Sequence, residues 1–502
     1  MSRHLRTGLV VFGGVLAGRL VGFVRDLLVS AMFGRSVQAD VAVLVMTVPD
    51  ALLNILVGGA MGAALIPEFK RRSPAEGWRL FVQASQLVLA VAVVLTVALS
   101  LGAGWVVRLV APGVASSAMD TARPLVAVCL WAVPLTAVAA VNRAFLQSHD
   151  RFGSPALSAF LYNLSLVIAL GFAGVFRLQA VAVAAVLGAG LGLAVQIRDT
   201  WRRREPEAGE GWLVGRSLVN RFVQALGAGV MLLTMPVVLR AFASRFGEGG
   251  LAQAHLASKL VDLPLGVALT SVSVALFPAV AEKLALTQTR EQGVALASQG
   301  LRVVFALGLP ISLGMGFFAL DWARMLYGHG KMDPEATVQI GMFAAVLMVG
   351  LLPQALNTLV LTVFDSLRDM ATPFFITGLG LGAMSVASAA AAAQGNLPGL
   401  AWATAGAHWA ILVTLLLVAK RKHGVDLLRP VFGPVPLVQA AVTCVAFLAL
   451  AWPLRAMHLP AAVGVVGSVV SGLVAGAVGL STDTDTRDKL LGIIKAKLRG
   501  SR

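Results

Sequence analysis

Cysteine is almost missing. Cys129 and Cys444 each sit alone in an apolar run, without the spacing of a metal or redox motif, so neither a disulfide framework nor a thiolate metal site is expected. Charge is scarce as well. Soluble domains carry roughly 25% charged residues, and this chain of 502 residues carries 13%. That deficit excludes a soluble enzyme and a disordered chain. Acidic residues are the rarer kind, 24 against 40 Lys and Arg, for a net charge of +16. Such a surplus on a solvated surface would point to nucleic acid, but a chain that is 58% hydrophobic has little solvated surface to offer. No nucleotide-binding spacing occurs: Gly328-His329-Gly330-Lys331 lacks the Walker pattern. The ten-residue alternating segments of a membrane β-barrel are also missing.

Long apolar runs are what the sequence has instead. A spanning helix needs about 20 mostly apolar residues, and that window gives about fourteen spans. They lie near 8–33, 38–67, 78–108, 122–147, 156–175, 178–197, 215–244, 250–280, 295–320, 336–365, 371–393, 397–420, 432–456 and 460–480. The first begins after a basic lead like a signal peptide, but it continues to Phe33 without a small-residue cleavage pattern and reads as a retained helix. An all-α, multi-pass membrane protein is expected.

The cations set its orientation. With the N-terminus inside, 26 of the 40 fall on one side, including Lys70–Arg72, Arg202–Arg204, Lys420–Lys422 and the tail, and 9 fall on the other. The positive-inside rule then places both termini in the cytoplasm. The tail from Thr486 to Arg499 carries Leu490, Leu491, Ile494 and Leu498 on one stripe and reads as an interfacial helix. Five cations stay within spans: Arg19, Arg25, Arg143, Arg221 and Lys259. Arg143 and Arg221 lie near cytoplasmic ends, where long side chains can snorkel. Arg19 falls near the midplane, where an Arg costs roughly 2.5–3.5 kcal/mol on insertion scales, so it needs a carboxylate partner or a water-filled cavity.

The sequence also repeats. Ala64-Leu65-Ile66-Pro67 is echoed by Ala275-Leu276-Phe277-Pro278, Asp50 by Asp262, and Ala84-Ser85-Gln86 by Ala297-Ser298-Gln299. The loop from His149 to Pro155 is echoed by Ser366 to Pro373. An even number of helices between copies means a parallel repeat about the membrane normal. The expected organisation is an N-lobe of six helices (1–197), a basic cytoplasmic linker (198–214) and a C-lobe of six helices (215–420). Two added helices (421–480) and an amphipathic tail (481–502) complete it.

The segment Gly18 to Asp40, GRLVGFVRDLLVSAMFGRSVQAD, resembles the first-helix signature of the MurJ/MviN family of lipid II flippases. Ala111-Pro112-Gly113, the stretch from Asp150 to Asn163, and Ala257 to Leu269 agree with it. So do Tyr327-Gly328 with Gly330-Lys331, and the Arg368-Asp369…Thr372-Pro373 loop. The resemblance implies a fold of the multidrug/oligosaccharidyl-lipid/polysaccharide exporter superfamily, in which two lobes enclose a cationic cavity and the last two helices form a groove for a polyprenyl tail. It implies diphosphate contacts at Arg19, Arg25 and Lys259, the last standing where the family has Arg. Arg suits that task because its planar fork pairs bidentately with phosphate oxygens.

Asp26, Asp40, Asp50 and Asp262 are the expected gate or ion-pair acids; Asp26 shares a helix face with Arg19 and could hold either Arg19 or Arg25 when substrate is absent. The chain departs from the family pattern at Leu53 (Arg in the family), Gly58 (Glu) and Asp50 (Asn), which marks a divergent member. The expected activity is alternating-access transfer of lipid II, an undecaprenyl-diphosphate-linked peptidoglycan precursor, from the inner to the outer leaflet of the bacterial cytoplasmic membrane. Another lipid-linked oligosaccharide is the alternative. A drug exporter fits less well because Arg19 and Lys259 would repel organic cations, and a membrane glycosyltransferase because the outer loop 321–335 has no trusted acid-base constellation. No enzyme activity, cofactor, metal or nucleic-acid partner is expected, and the chain is expected to act as a monomer among membrane lipids.

Overall fold

The computed structural model describes residues 3–56, 60–172, 176–205, 211–269, 279–284, 287–457 and 459–488. Among the described residues each of the fourteen sequence spans overlaps at least one helix. The first seven correspond to α1 (Arg3–Phe33), α2 (Val37–Leu56) with α3 (Ala60–Arg71), α4 (Pro74–Leu101), α6 (Ser116–Cys129) with α7 (Ala132–Ser148), α8 (Gly153–Phe172), α9 (Arg177–Trp201) and α10 (Arg216–Ala243). The short α5 (Ala103–Val110) lies between α4 and α6. The other seven begin with α11 (Gly250–Pro264), followed by α12 (Arg290–Phe317) and, after the short α13 (Ala319–Tyr327), the pair α14 (Pro334–Val349) and α15 (Leu351–Ser366). Then come α16 (Ala371–Ala393), α17 (Leu397–His423), the four-residue α18 (Arg429–Phe432), α19 (Pro434–Ala456) and α20 (Ala461–Leu480). Among the described residues nine helices are long and apolar enough to cross a membrane, or ten if α14 and α15, bent by 41°, make one span. α3 and α11, at 12 and 15 residues, are too short to cross alone. Ala275–Pro278, Gly58, the side chain of Leu53 and the tail beyond Asp488 lie outside the described residues.

Packing divides the chain into two compact units, Met1–Ala252 and Gln253–Arg502. α10 packs on α2, α3 and α5 and so belongs with the first unit, and the division falls within α11. The core of the first unit is built around α2, which is buried on every face from Ala39 to Pro49. An all-apolar helix face such as VAVLVM needs neighbours all round, and α5, α6, α7 and α9 supply them through Val107, Val126, Val133 and Val181. A second cluster of Phe69, Trp78, Phe81 and Phe145 joins α3, α4 and α7. In the second unit α19 and α20 pack on α12 and α13. Buried Phe318 and Phe447 and the Trp322 indole, which donates to Ser468 Oγ at 2.9 Å, hold that junction.

Outward positions are taken by large apolar side chains, among them Val94, Leu101, Phe172, Leu187, Leu379 and Leu473. On a soluble protein this would be an aggregation liability; on a bundle of spanning helices it is the lipid surface.

The order of elements recurs. From α4 the first unit runs through a 28-residue helix, an 8-residue helix, a broken pair, and helices of 20 and 25 residues. From α12 the second runs through helices of 28 and 9 residues, a broken pair, and helices of 23 and 27 residues. The echoed loops also share backbone geometry. Asp150 and Arg368, 218 positions apart, are the two non-glycine residues with positive φ among the described residues, at 57° and 58°. In each, the next residue donates its N–H back to the carbonyl five earlier, Arg151 to Leu146 and Asp369 to Phe364. That is the double-bonded helix stop in which the left-handed residue closes the last turn.

Candidate functional site

Helix α1 approaches α8 through three glycines one turn apart. A Cβ on Gly14 would stand 2.6 Å from the Ala156 Cβ, one on Gly18 3.5 Å from the Phe160 backbone N, and one on Gly22 3.2 Å from Asn163 Oδ1. Small residues at that spacing let two membrane helices come close enough for their backbones to pack. α9 meets the other side of α8 likewise: a Cβ on Gly188 would come within 3.1 Å of Tyr162 and Ser165.

This closeness places Arg25. It is 5% exposed, and three of its five guanidinium N–H groups are committed. Nε and Nη2 donate to Asp26 Oδ1 at 3.1 and 2.9 Å, and Nη1 donates to Asn163 Oδ1 at 3.1 Å. The Asn163 amide nitrogen donates to the carbonyls of Gly18 and Ala159, which fixes its oxygen toward Arg25. Asp50 on α2 and Tyr162 on α8 lie within electrostatic reach of the same guanidinium. The result is a buried cation between α1, α2 and α8, neutralised by Asp26 and, among the described residues, with two N–H groups left for an anion.

The other expected residues lie apart from it. Arg19 is exposed and makes no ion pair among the described residues. Six residues separate it from Arg25, so the two leave α1 on different faces, about 9 Å apart along the axis. Lys259 on α11 pairs with Asp262 one turn on, at 3.1 Å. Pro264 and a single π-turn over Leu265–Leu269 follow within two turns, an irregularity common at functional sites. Among the described residues Asp40 pairs with no cation. Its two carboxylate oxygens accept the backbone N–H of Gly249 (2.9 Å) and Ala252 (2.8 Å), so it caps the start of α11.

Several polar ties involve residues that were not expected as site residues. Asn163 is the one carboxamide in the apolar run of α8 and closes the family-like stretch that begins at Asp150. Glu68, beside Arg72 and Arg221 at 3.0 and 2.7 Å, is pushed up by burial, but hydrogen bonds from both arginines outweigh this and hold it below the ordinary carboxylate value. Asp369, in the loop after α15, behaves alike: burial raises it, while Lys422, His423 and Thr372 bring it well below the usual range. Asp321 and Arg455 tie α13 to α19 at 2.6 Å. Among the described residues no group of His, Cys, Asp and Glu could hold a metal ion.

Comparison with known proteins agrees with this architecture. The family profile described as "Lipid II flippase MurJ" matches residues 29–475. The "Lipid II flippase MurJ" of Burkholderia cenocepacia is 27% identical over 388 residues, covering 73% of this chain and 74% of that protein. The "Probable lipid II flippase MurJ" of Rhizobium meliloti is 25% identical over 502 residues, covering 94% and 91%. A solved structure of "Lipid II flippase MurJ, inward closed conformation" superposes with a TM-score of 0.74 at 16% identity, over 93% of this chain and 98% of that one. An inward-facing multidrug resistance MATE transporter of the MOP superfamily gives 0.65 at 14% identity, over 81% and 95%. Those two likenesses concern the fold. The profile match runs through nearly the whole sequence, and the chain belongs to the MurJ family of lipid II flippases.

Proposed function

We propose that this multi-pass membrane protein is a transporter that moves lipid II, an undecaprenyl-diphosphate-linked peptidoglycan precursor, across the bacterial cytoplasmic membrane by alternating access. One observation carries the reading beyond family membership: Arg25, buried in the first helix, is held by Asp26 and Asn163 with two N–H groups uncommitted among the described residues. Moving a diphosphate through hydrocarbon requires replacing its water with charge-assisted hydrogen bonds, and a guanidinium whose counter-ion is its chain neighbour can exchange that carboxylate for phosphate oxygens. Asp26 is then the resting partner and Arg25 the substrate contact, with Arg19 and Lys259 as further cations and Asp40, Asp50 and Asp262 as the acids that hold resting contacts.

In this reading the repeat halves, expected at 1–197 and 215–420 on either side of the basic linker, are the moving bundles, with α10 travelling with the first, on whose α2, α3 and α5 it packs. The helices of 421–480 receive the polyprenyl tail, both termini are cytoplasmic, and the protein works as a monomer. The departures at Leu53 and Gly58 favour one second reading, a different undecaprenyl-diphosphate glycan on the same machinery. Replacement of the essential lipid II flippase in a depletion strain separates the two. Rescued growth selects lipid II; correct insertion without rescue, with export of another lipid-linked glycan, selects the second reading.

A further inference from the structure

Two helices turn a polar face outward where their neighbours turn leucine and valine. On α7 the positions that are not buried include Thr136, Ala140, Arg143 and Gln147, which share one stripe at i, i+4, i+7 and i+11. Between them Ala137, Val141, Ala144 and Phe145 are buried where α7 meets α3, α4 and α9. On α15 the matching stripe is Gln354, Thr358, Leu361 and Asp365, each 218 positions after its counterpart and likewise not buried. α4, by contrast, exposes Leu87, Leu89, Val91, Val94, Val97 and Leu101. A face that shows Arg and Gln in one unit, and Gln, Thr and Asp in the other, borders water and not acyl chains, because each charge in hydrocarbon would cost roughly 2.5–3.5 kcal/mol.

Arg143 is the cation on this face. It is exposed, it lies within the apolar span Ser116–Ser148, and among the described residues it has no hydrogen-bond or ion-pair partner. Its position about 7.5 Å before the end of α7 is next to the loop expected in the cytoplasm. Arg25 contrasts with it: buried, with three N–H groups committed, and near the other end of α1.

We propose that Arg143 is an additional diphosphate contact, the one a lipid-linked diphosphate meets on entry from the cytoplasmic side, before the buried Arg25. The inference rests on the reading of the substrate as a prenyl diphosphate. Among the described residues nothing occupies the five donors of Arg143, and Gln147 one turn on supplies a neutral amide beside the same anion.

The test is binding of undecaprenyl diphosphate to the purified full chain in detergent, with undecaprenol and phosphatidylglycerol measured in parallel. Arg143→Ala should weaken undecaprenyl diphosphate about tenfold or more, the loss expected for one charge-assisted contact, and leave undecaprenol and phosphatidylglycerol unchanged. Gln147→Glu keeps Arg143 in place but sets a carboxylate one turn away to occupy it, and should weaken the diphosphate as well. Wild-type affinity in both variants, alongside lost binding in Arg25→Lys, overturns the role of Arg143 while leaving the proposed function standing. Equal losses for phosphatidylglycerol and the diphosphate also overturn it, making Arg143 a headgroup anchor. A wild-type chain that binds undecaprenol as tightly as the diphosphate removes the substrate reading itself.

Discussion

Arg25 and Asn163 are joined across the α1–α8 contact by a single hydrogen bond of 3.1 Å, and Asp26 accepts two more from the same guanidinium, through Nε and Nη2. Because Asp26 is 1% exposed, removing Arg25 leaves a buried charge. Arg25→Ala should therefore lose about 3–5 kcal/mol of stability, seen as a lower unfolding midpoint in detergent. Arg25→Ala with Asp26→Ala should recover much of that midpoint while transport stays lost. Recovery of transport in the double variant would remove Arg25 from the substrate path.

The glycine seam makes a sharper prediction. Gly22→Ala sets a Cβ 3.2 Å from Asn163 Oδ1 and displaces the amide that orients Arg25, whereas a Cβ on Gly13 meets nothing within 4 Å. Gly22→Ala should impair transport several-fold at unchanged membrane levels. Gly13→Ala should be neutral or stabilise the helix by up to about 1 kcal/mol. Equal transport in the two variants would show that the seam does not position the site.

These two cases mark what the sequence could convey. Spans, their order, the repeat and the isolated intramembrane cations were legible, since each follows from hydropathy or from a spacing along one helix. Which acid meets which cation was not. Arg19 and Asp26 share a face of an ideal helix, yet Asp26 serves Arg25, because the approach of α8 through Gly18 and Gly22 makes that side of α1 the buried one. Asp40 is an expected gate or ion-pair acid, but it spends both oxygens on backbone amides more than 200 residues away in sequence. No local pattern announces a cap supplied from a distant helix.

Asp369 gives a pH dependence with a definite sign. Burial opposes its charge, but Lys422, His423 and Thr372 outweigh burial and depress its folded value. A depressed carboxylate contributes stability that is fully present above its unfolded value, about 3.9, and is lost as pH falls through the folded one. The unfolding midpoint of the wild type should exceed that of Asp369→Asn by a constant margin from pH 8 to about 5, and the margin should narrow below about pH 4. With solvent screening around the partly exposed Lys422, the full margin should correspond to about 1–2 kcal/mol. A margin that instead grows toward acid would mean that the carboxylate is destabilising in the folded state.

The paired loop stops allow the repeat to be tested energetically. Asp150 and Arg368 hold the left-handed conformation at φ 57° and 58°, which costs an L-residue roughly 1–2 kcal/mol relative to its preferred regions and costs glycine little. Both residues follow a helix C-terminus, where the dipole disfavours an acid and favours a base by about 0.3–1 kcal/mol. Asp150→Gly therefore removes both backbone strain and an unfavourable charge, while Arg368→Gly removes strain but also a favourable one. Both should raise the unfolding midpoint, Asp150→Gly by more. Asp150→Ala and Arg368→Ala, which keep a Cβ in the same conformation, should each fall below their glycine counterparts, and Arg368→Ala, which loses the favourable charge without relieving the strain, should fall below the wild type. If glycine stabilises at one loop and destabilises at the other, the shared backbone geometry does not reflect a shared energetic role, and the two loops are equivalent in shape alone.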